Sequence, residues 1–268
     1  MALSDEQLAR YSRHIVLKGL GLKGQKALLS GSVLVVGAGG LGSPAALYLA
    51  AAGVGRIGIV DSDEVELSNL QRQVIHSTLD LGRPKAESAA ERMRAINPDV
   101  QVETYCMYVD STNIAELIAD YDFIIDGTDN FAAKFLINDA CVLGEKPFCH
   151  GAAVRFSGQI MTYVPHEGPC YRCVFKEPPP PDTVPSCSQA GIVGAVVGVV
   201  GSLQAMEAIK YLTGIGQLFT RRLVIYDAFY GEFSEIELAD VPECAVCGEH
   251  PVITSLTDYE QTVCDLNI

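Results

Sequence analysis

The chain is short of positive charge: 19 Lys and Arg face 33 Asp and Glu, a formal net charge of −14. With that balance, whole-surface attraction to nucleic acid or anionic lipid is not expected, and an anionic ligand must be held by locally placed cations. A long apolar run is also missing. The longest, Ala190 to Gly201, falls well short of the ~20 residues that span a bilayer, so no membrane partner is expected and the run reads as a buried helix. Met1 to Glu6 lacks the basic and then apolar pattern of a secretory signal, which gives a cytoplasmic expectation. Charged residues are only 19% of the chain and hydrophobic ones 49%, too apolar for disorder. No repeat and no linker-like stretch divides the 268 residues, so one domain over 1–268 is expected. His14, His76, His150, His166 and His250 show no metal-ligand spacing and read as structural or surface residues.

What is present alternates strand and helix. Ser4-Asp5-Glu6-Gln7 has the pattern of a capping box, opening a helix that carries Leu8, Tyr11, Ile15 and Val16 at helical spacing. A short helix over 23–29 follows. Val33 to Val36 is apolar on both faces and runs through a glycine turn into a helix over 41–52, a unit of a parallel sheet. Apolar runs at 57–60, 100–102 and 123–126 then alternate with helical stretches at 84–96, 113–119 and 131–143. This predicts an α/β, Rossmann-like doubly wound sheet. Beyond Pro147 the period becomes that of antiparallel strands at 158–164, 223–226 and 232–238, predicting a mixed sheet with an antiparallel C-terminal extension. The proline-rich stretch Glu177 to Pro185 is incompatible with helix or central strand, so residues 176–189 are expected to form an exposed, mobile loop.

Gly37-Ala38-Gly39-Gly40-Leu41-Gly42 has the G-x-G-x-x-G spacing between predicted strand and helix, where backbone N–H groups and the helix dipole receive phosphate. Asp61 closes the next strand, in position to accept from ribose hydroxyls. This much also fits an NAD-dependent oxidoreductase. The following residues differ from one. Ser68, Asn69, Gln71, Arg72 and Gln73 gather amides and a guanidinium beyond the sheet edge, Lys85 starts a helix, and Arg13 lies near the N-terminus. Three cations suit a triphosphate better than a pyrophosphate diester, although each alone also reads as a solvated surface charge. Asp126-Gly-Thr-Asp-Asn130 brings Asp129 to the same edge, either as a Mg2+ ligand or as the cap of the helix that follows.

Taken together, the glycine motif, Ser68-Asn-Leu-Gln-Arg-Gln73, Arg83-Pro-Lys85 and Asp126-Gly-Thr-Asp-Asn130 resemble the ThiF/MoeB/HesA family, bacterial relatives of ubiquitin-activating enzymes, from Tyr11 to Cys247. The resemblance implies ATP-dependent adenylation of the C-terminal glycine of a ubiquitin-like sulfur-carrier protein ending in Gly-Gly, in thiamine or molybdopterin biosynthesis. It implies Asp61 on the ribose, Asn69, Arg72 and Lys85 on the phosphates, with Gly37, Gly39, Gly40, Gly42, Gln73 and Asn130 also lining the nucleotide. Asp129 would hold Mg2+, and Arg13 would reach the site from the partner subunit of a homodimer. With no rhodanese-like domain read after Cys247, sulfur is expected from a separate donor protein. A nucleotide-binding scaffold without turnover is the non-enzymatic alternative, and the full set of phosphate-binding charges speaks against it.

The cysteines divide by spacing. Cys170-Tyr-Arg-Cys173 and Cys244-Ala-Val-Cys247 could form one four-cysteine zinc site or two redox pairs, since their separation exceeds the compact zinc-ribbon spacing. The resemblance implies structural zinc that clips the C-terminal segment to the sheet. Cys187, in Pro185-Ser-Cys-Ser, matches the family's loop cysteine, which takes part in sulfur transfer in thiamine-pathway members and is dispensable in molybdopterin-pathway members; an incidental loop thiol is the other reading. Cys106, Cys141 and Cys149 are expected to be buried fillers. Cys264, in the tail, has no partner to assign.

Overall fold

The computed structural model describes residues 3–179 and 190–259. Ser32–Val36 (β1) is buried at every position, as expected of a strand that is apolar on both faces. It pairs in parallel with β2 (Arg56–Val60) on one side and β4 (Phe123–Asp126) on the other. β3 (Gln101–Tyr105) and β5 (Phe148–Val154) extend the parallel half, and β6 (Ser157–Tyr163), β7 (Arg222–Asp227) and β8 (Glu232–Glu237) add an antiparallel half. The result is one eight-stranded sheet in the order β3-β2-β1-β4-β5-β6-β7-β8.

Both faces of this sheet are covered. Val33 and Val35 point into a core shared with α3 (Gly21–Ser30), α4 (Gly42–Ala52) and α5 (Lys85–Ile96). Leu34 and Val36 point the other way, toward α6 (Ile114–Ala119), α7 (Phe131–Leu143) and the short α8 (Tyr171–Val174). Alternate side chains of one strand thus feed two cores, and truncating a fully buried one such as Leu34 to Ala would cost about 2–5 kcal/mol. The last helix, α9 (Gly194–Thr213), lies on the first face. It approaches β5 and β6 closely, because Gly151 leaves room for the Gln204 amide and Gly158 for a Val200 methyl.

The chain leaves β1 toward β2 and β3, then returns to add β4 on the opposite flank of β1. The order reverses between β1 and β4, so a crevice opens outside their carboxyl ends, where such sheets take ligands. The glycine loop follows β1 and the Gly127–Asn130 loop follows β4. The sequence motifs therefore meet at the switch point.

Three expectations need correction. The first helical segment breaks in two, α1 (Asp5–Arg10) and α2 (Ser12–Ile15), and Leu8 and Val16 are exposed. The break falls at Tyr11, whose buried hydroxyl receives a hydrogen bond from Asn97 Nδ2 at 2.8 Å, a tertiary contact that overrides local helical spacing. The apolar run expected to be a buried helix contributes only its later part, from Gly194, to α9, which then continues to Thr213; one face of the helix is buried, while Met206 and the preceding Val193 are exposed. Cys106 is exposed rather than buried, since it follows β3, the edge strand, where the chain leaves the sheet. Cys141 and Cys149 are buried as expected.

Candidate active site

The glycine loop closes on itself by backbone geometry. Gly37 has φ +95, in the left-handed region that favours glycine, and a Cβ on Gly42 would overlap the Gly37 carbonyl oxygen. Ala38 is pinned from both sides: its N–H donates to Asp61 Oδ2 at 2.8 Å, and its carbonyl accepts from His76 Nε2 at 3.0 Å. Burial pushes the pKa of His76 below its ordinary value, so the ring is neutral; with Nε2 donating to Ala38, Nδ1 accepts from Ser88 Oγ at 2.8 Å. Burial raises the pKa of Asp61, opposed by N–H donors from Asp63 and Ala38 and by the Lys85 charge. In the first turn of α4, Ser43 N–H already donates to the Gly39 carbonyl at 2.9 Å and Pro44 has no N–H, so the helix start offers few free donors beyond the glycine loop itself.

Around this loop stand the other predicted residues. Gln73 is 4% exposed, its Oε1 has no hydrogen-bond partner, and its amide nitrogen lies 3.7 Å from where a Cβ on Gly39 would sit. A buried polar atom left unpaired costs about 1–3 kcal/mol, and a ligand group that donates, such as a hydroxyl or amine, would relieve this acceptor oxygen. Asn69 is buried in the short turn Leu67–Asn69, with Oδ1 accepting from Glu66 N–H at 3.3 Å. Arg72 is half-buried and donates to the Ser68 carbonyl at 3.1 Å; the first residue of α9, Gly194, abuts the backbone of Gln71 and Arg72. Lys85 is the first residue of α5, the end where the helix dipole disfavours a cation, and its Nζ pairs with Asp63 at 2.7 Å.

After β4, Asn130 rather than Asp129 caps α7, with Oδ1 accepting from Ala133 N–H at 2.8 Å. Of the two sequence readings of Asp129, the cap is therefore corrected. Its carboxylate is exposed and has no protein partner among the described residues, which leaves its oxygens available to a cation.

Beneath this loop lies a network that the sequence did not announce. Asp126 is 1% exposed. Its Oδ1 accepts from Thr128 N and Oγ1 at 3.1 and 2.6 Å, and its Oδ2 from Lys134 Nζ and His150 Nδ1, each at 3.0 Å. Burial alone would raise the Asp126 pKa, but the Lys134 charge and these hydrogen bonds outweigh it and hold the group down at about 2. Burial and the Lys134 charge lower His150 to about 4, so the ring is neutral. Its Nδ1 then carries the proton toward Asp126, and Nε2 accepts from Gln159 Nε2 at 3.3 Å. The one available sequence signal was a carboxylate closing an otherwise apolar strand.

Arg13 is not beside the glycine loop of its own chain. Tyr11, two residues earlier, packs on Gly53 past the end of α4, while the loop lies at the start of α4, about 16 Å away along an 11-residue helix. Cys187, like Cys264, lies outside the described residues.

On the other face of the sheet the two C-x-x-C pairs converge. The four sulfurs lie within 4.8 Å of one another, with edges of 3.9 Å (Cys170 to Cys173), 3.7 Å (Cys170 to Cys244) and 3.4 Å (Cys173 to Cys247). Four thiolates about 2.3 Å from a tetrahedral zinc ion would lie about 3.8 Å apart, so the donor set fits zinc and leaves no ligand position open. The two residues inside the first pair face the body of the protein. Tyr171 packs on the His150 ring at 4.6 Å between centroids, and Arg172 forms a bidentate pair with buried Asp139 of α7 at 2.6 and 2.9 Å. Tyr259 also donates to Asp139, at 2.6 Å, tying down the tail.

Residues 11–246 match the ThiF family. The chain belongs to the ThiF family. Among its relatives, the sulfur carrier protein adenylyltransferase of Thermus thermophilus is 47% identical over 267 residues, covering 97% of this chain and 98% of that one. The SAMP-activating enzyme E1 of Haloferax volcanii is 50% identical over 249 residues, covering 93% and 92%. The adenylyltransferase and sulfurtransferase MOCS3 of Aedes aegypti is 46% identical over 260 residues; this ThiF-family chain spans only 60% of its length. Among solved structures, Escherichia coli MccB with a MccA variant superposes with a TM-score of 0.80 at 22% identity, covering 92% of this chain and 75% of that one, a likeness of fold.

Proposed function

We propose that this ThiF-family chain is an adenylyltransferase that uses ATP and Mg2+ to activate the C-terminal glycine of a ubiquitin-like sulfur-carrier protein, releasing pyrophosphate. The observation that carries the reading is the meeting of the glycine loop, Arg72, Lys85 and Asp129, whose carboxylate has no partner among the described residues, at one sheet edge, with the unpaired Gln73 Oε1 beside the loop. Of two relatives that this chain matches almost end to end, one is named a sulfur carrier protein adenylyltransferase and the other a SAMP-activating enzyme E1, which supports the reading. The reaction brings an anionic carboxylate to an anionic phosphate. Charge neutralisation and in-line alignment are its main demands, and a carboxylate already ionised at neutral pH needs no general base.

In this reading Arg72 and Lys85 take phosphate oxygens; Lys85 would exchange Asp63 for the nucleotide. Asp61 accepts from the ribose, and Asp129 would hold Mg2+, whose charge offsets that building on the departing pyrophosphate. Zinc at Cys170, Cys173, Cys244 and Cys247 is structural. Cys187 would act after adenylation, in sulfur handling with a separate donor. The working unit is a homodimer with shared sites. Two observations favour it: Arg13 sits remote from its own glycine loop, and an apolar groove of about 600 Å3 between α4 and α9, with Tyr48 and Val74 on its wall, is uncovered in the single chain.

The test is carrier-dependent ATP–pyrophosphate exchange. Asp129→Ala should lower it by several orders of magnitude with the fold intact, and mixing that variant with Arg13→Ala should restore part of it through hybrid dimers. Undiminished exchange in Asp129→Ala would remove the metal assignment. No rescue despite subunit exchange would remove the shared site.

A further inference from the structure

The Asp126–Lys134 pair is buried, with side chains 1% and 5% exposed. A buried pair of this kind is weak evidence for stability, because desolvating two charges offsets their attraction and a well-packed apolar pair often serves as well. Its place in the chain suggests another purpose. Asp126 ends β4 and Lys134 lies in the first turns of α7, so the pair spans the loop Gly127–Asn130 that carries Asp129. Thr128, before Asp129, is bonded twice to Asp126; Asn130, after it, is bonded to Ala133 N–H. Lys134 Nζ also donates to the Gly151 carbonyl at 2.7 Å, and His150 holds Asp126 from the same strand, β5. One carboxylate and one ammonium therefore fasten the end of β4, the middle of β5 and the start of α7 around a loop in which, among its side chains, only the Asp129 carboxylate is left without a partner among the described residues.

We infer that Lys134 and Asp126 are positioning residues: their pair fixes the Gly127–Asn130 loop so that the Asp129 carboxylate is presented to the metal bound with the nucleotide. The inference rests on the proposed role of Asp129. Partners that orient a metal ligand from behind are worth about 10–100-fold in metal affinity. A pair with a purely structural role would affect folding stability and leave metal affinity in the folded protein unchanged.

The informative variant is the double Asp126→Asn/Lys134→Met, which removes both charges together and leaves neither buried alone; Asn keeps an oxygen for Thr128, and its amide can donate to His150 Nδ1 once the neutral ring carries its proton on Nε2, toward the Gln159 side-chain amide turned to accept it. In the full-length protein with a non-hydrolysable ATP analogue, Mn2+ binding is read by electron paramagnetic resonance, alongside the melting midpoint and the Mg2+ dependence of exchange. The expected result is a Mn2+ dissociation constant raised about 10–100-fold, a matching rise in the Mg2+ needed for half-maximal exchange, and a maximal rate at saturating Mg2+ within a few-fold of wild type. Unchanged Mn2+ affinity in the folded double variant would overturn the inference. If that variant does not fold, Thr128→Val, which removes only the hydroxyl bond to Asp126, is read in the same way: a several-fold weaker Mn2+ affinity is expected, and an unchanged one overturns the inference. A wild-type protein that binds no Mn2+ with the analogue and shows no exchange would overturn the functional reading itself, and this inference with it.

Discussion

His76 donates from Nε2 to the carbonyl of Ala38 at 3.0 Å, so an imidazole far along the chain holds the middle of the glycine loop from below. Its other nitrogen meets Ser88 of α5, which makes the loop part of a three-element joint. His76→Phe would leave the buried Ala38 carbonyl with only the long 3.5 Å bond from Ser43 Oγ, at a cost of up to about 1–3 kcal/mol. We expect a lower melting midpoint together with weaker ATP binding by calorimetry. Wild-type affinity in this variant would show that the loop keeps its shape without the histidine.

The glycines of the loop should separate by role. A Cβ on Gly42 would strike the backbone of Gly37, whereas one on Gly39 would meet only the Gln73 amide at 3.7 Å and otherwise project toward the crevice. Gly42→Ala is therefore expected to yield poorly folded protein. Gly39→Ala should fold with a midpoint near wild type but bind ATP at least about tenfold more weakly, because the backbone no longer approaches the phosphates. Equal nucleotide binding by Gly39→Ala and wild type would move the phosphates elsewhere.

Acid should destabilise the protein in a defined window. His150 titrates at about 4 in the fold and at about 6.5 when unfolded. Between these values the unfolded chain binds the extra proton, so the stability linked to neutral His150 is complete above pH ~6.5 and is lost as pH falls toward 4, up to ~3 kcal/mol. Asp126 adds a second loss as pH falls from ~3.9 toward its folded value of about 2. Urea unfolding as a function of pH should show the first slope in wild type and a flatter one in His150→Gln; parallel curves would contradict the assignment.

Metal content is the fourth expectation. Protein purified without chelators should carry one zinc per four-cysteine cluster, and Cys244→Ser should lose both zinc and several kcal/mol of stability, since an ion held by three thiolates is held poorly. Because Arg172 and Tyr259 meet at Asp139, hydrogen exchange should rise in the tail and in α7 as the metal is withdrawn. Elemental analysis without zinc would refute the site.

The sheet was legible because its strands are short apolar runs punctuated by glycine and helix, and the motifs at 37–42, 61 and 126–130 fell at strand ends as their period required. The buried network was not. Lys134 reads as an ordinary helix charge and His150 as an isolated ring until β5 aligns beside β4 and brings both to Asp126, a contact made by sheet order rather than by neighbours in the chain. Local spacing also failed at Tyr11, where the hydroxyl's bond to Asn97 decides the backbone, and along α9, whose composition does not reveal that only one of its faces is covered.

The close seating of α9 has a consequence for variation in this protein. Its register is fixed where Val200 fits over Gly158 and Gln204 over Gly151, while its first residue abuts Gln71. One inserted or deleted residue inside the helix would rotate everything beyond it by about 100° and shift it by about 1.5 Å, releasing these fittings together. Point changes on the exposed side of α9 are tolerable, but a change in its length between Gly194 and Gln204 is not. Homologous chains can therefore be expected to accumulate their insertions on either side of this helix and to keep its count of residues constant.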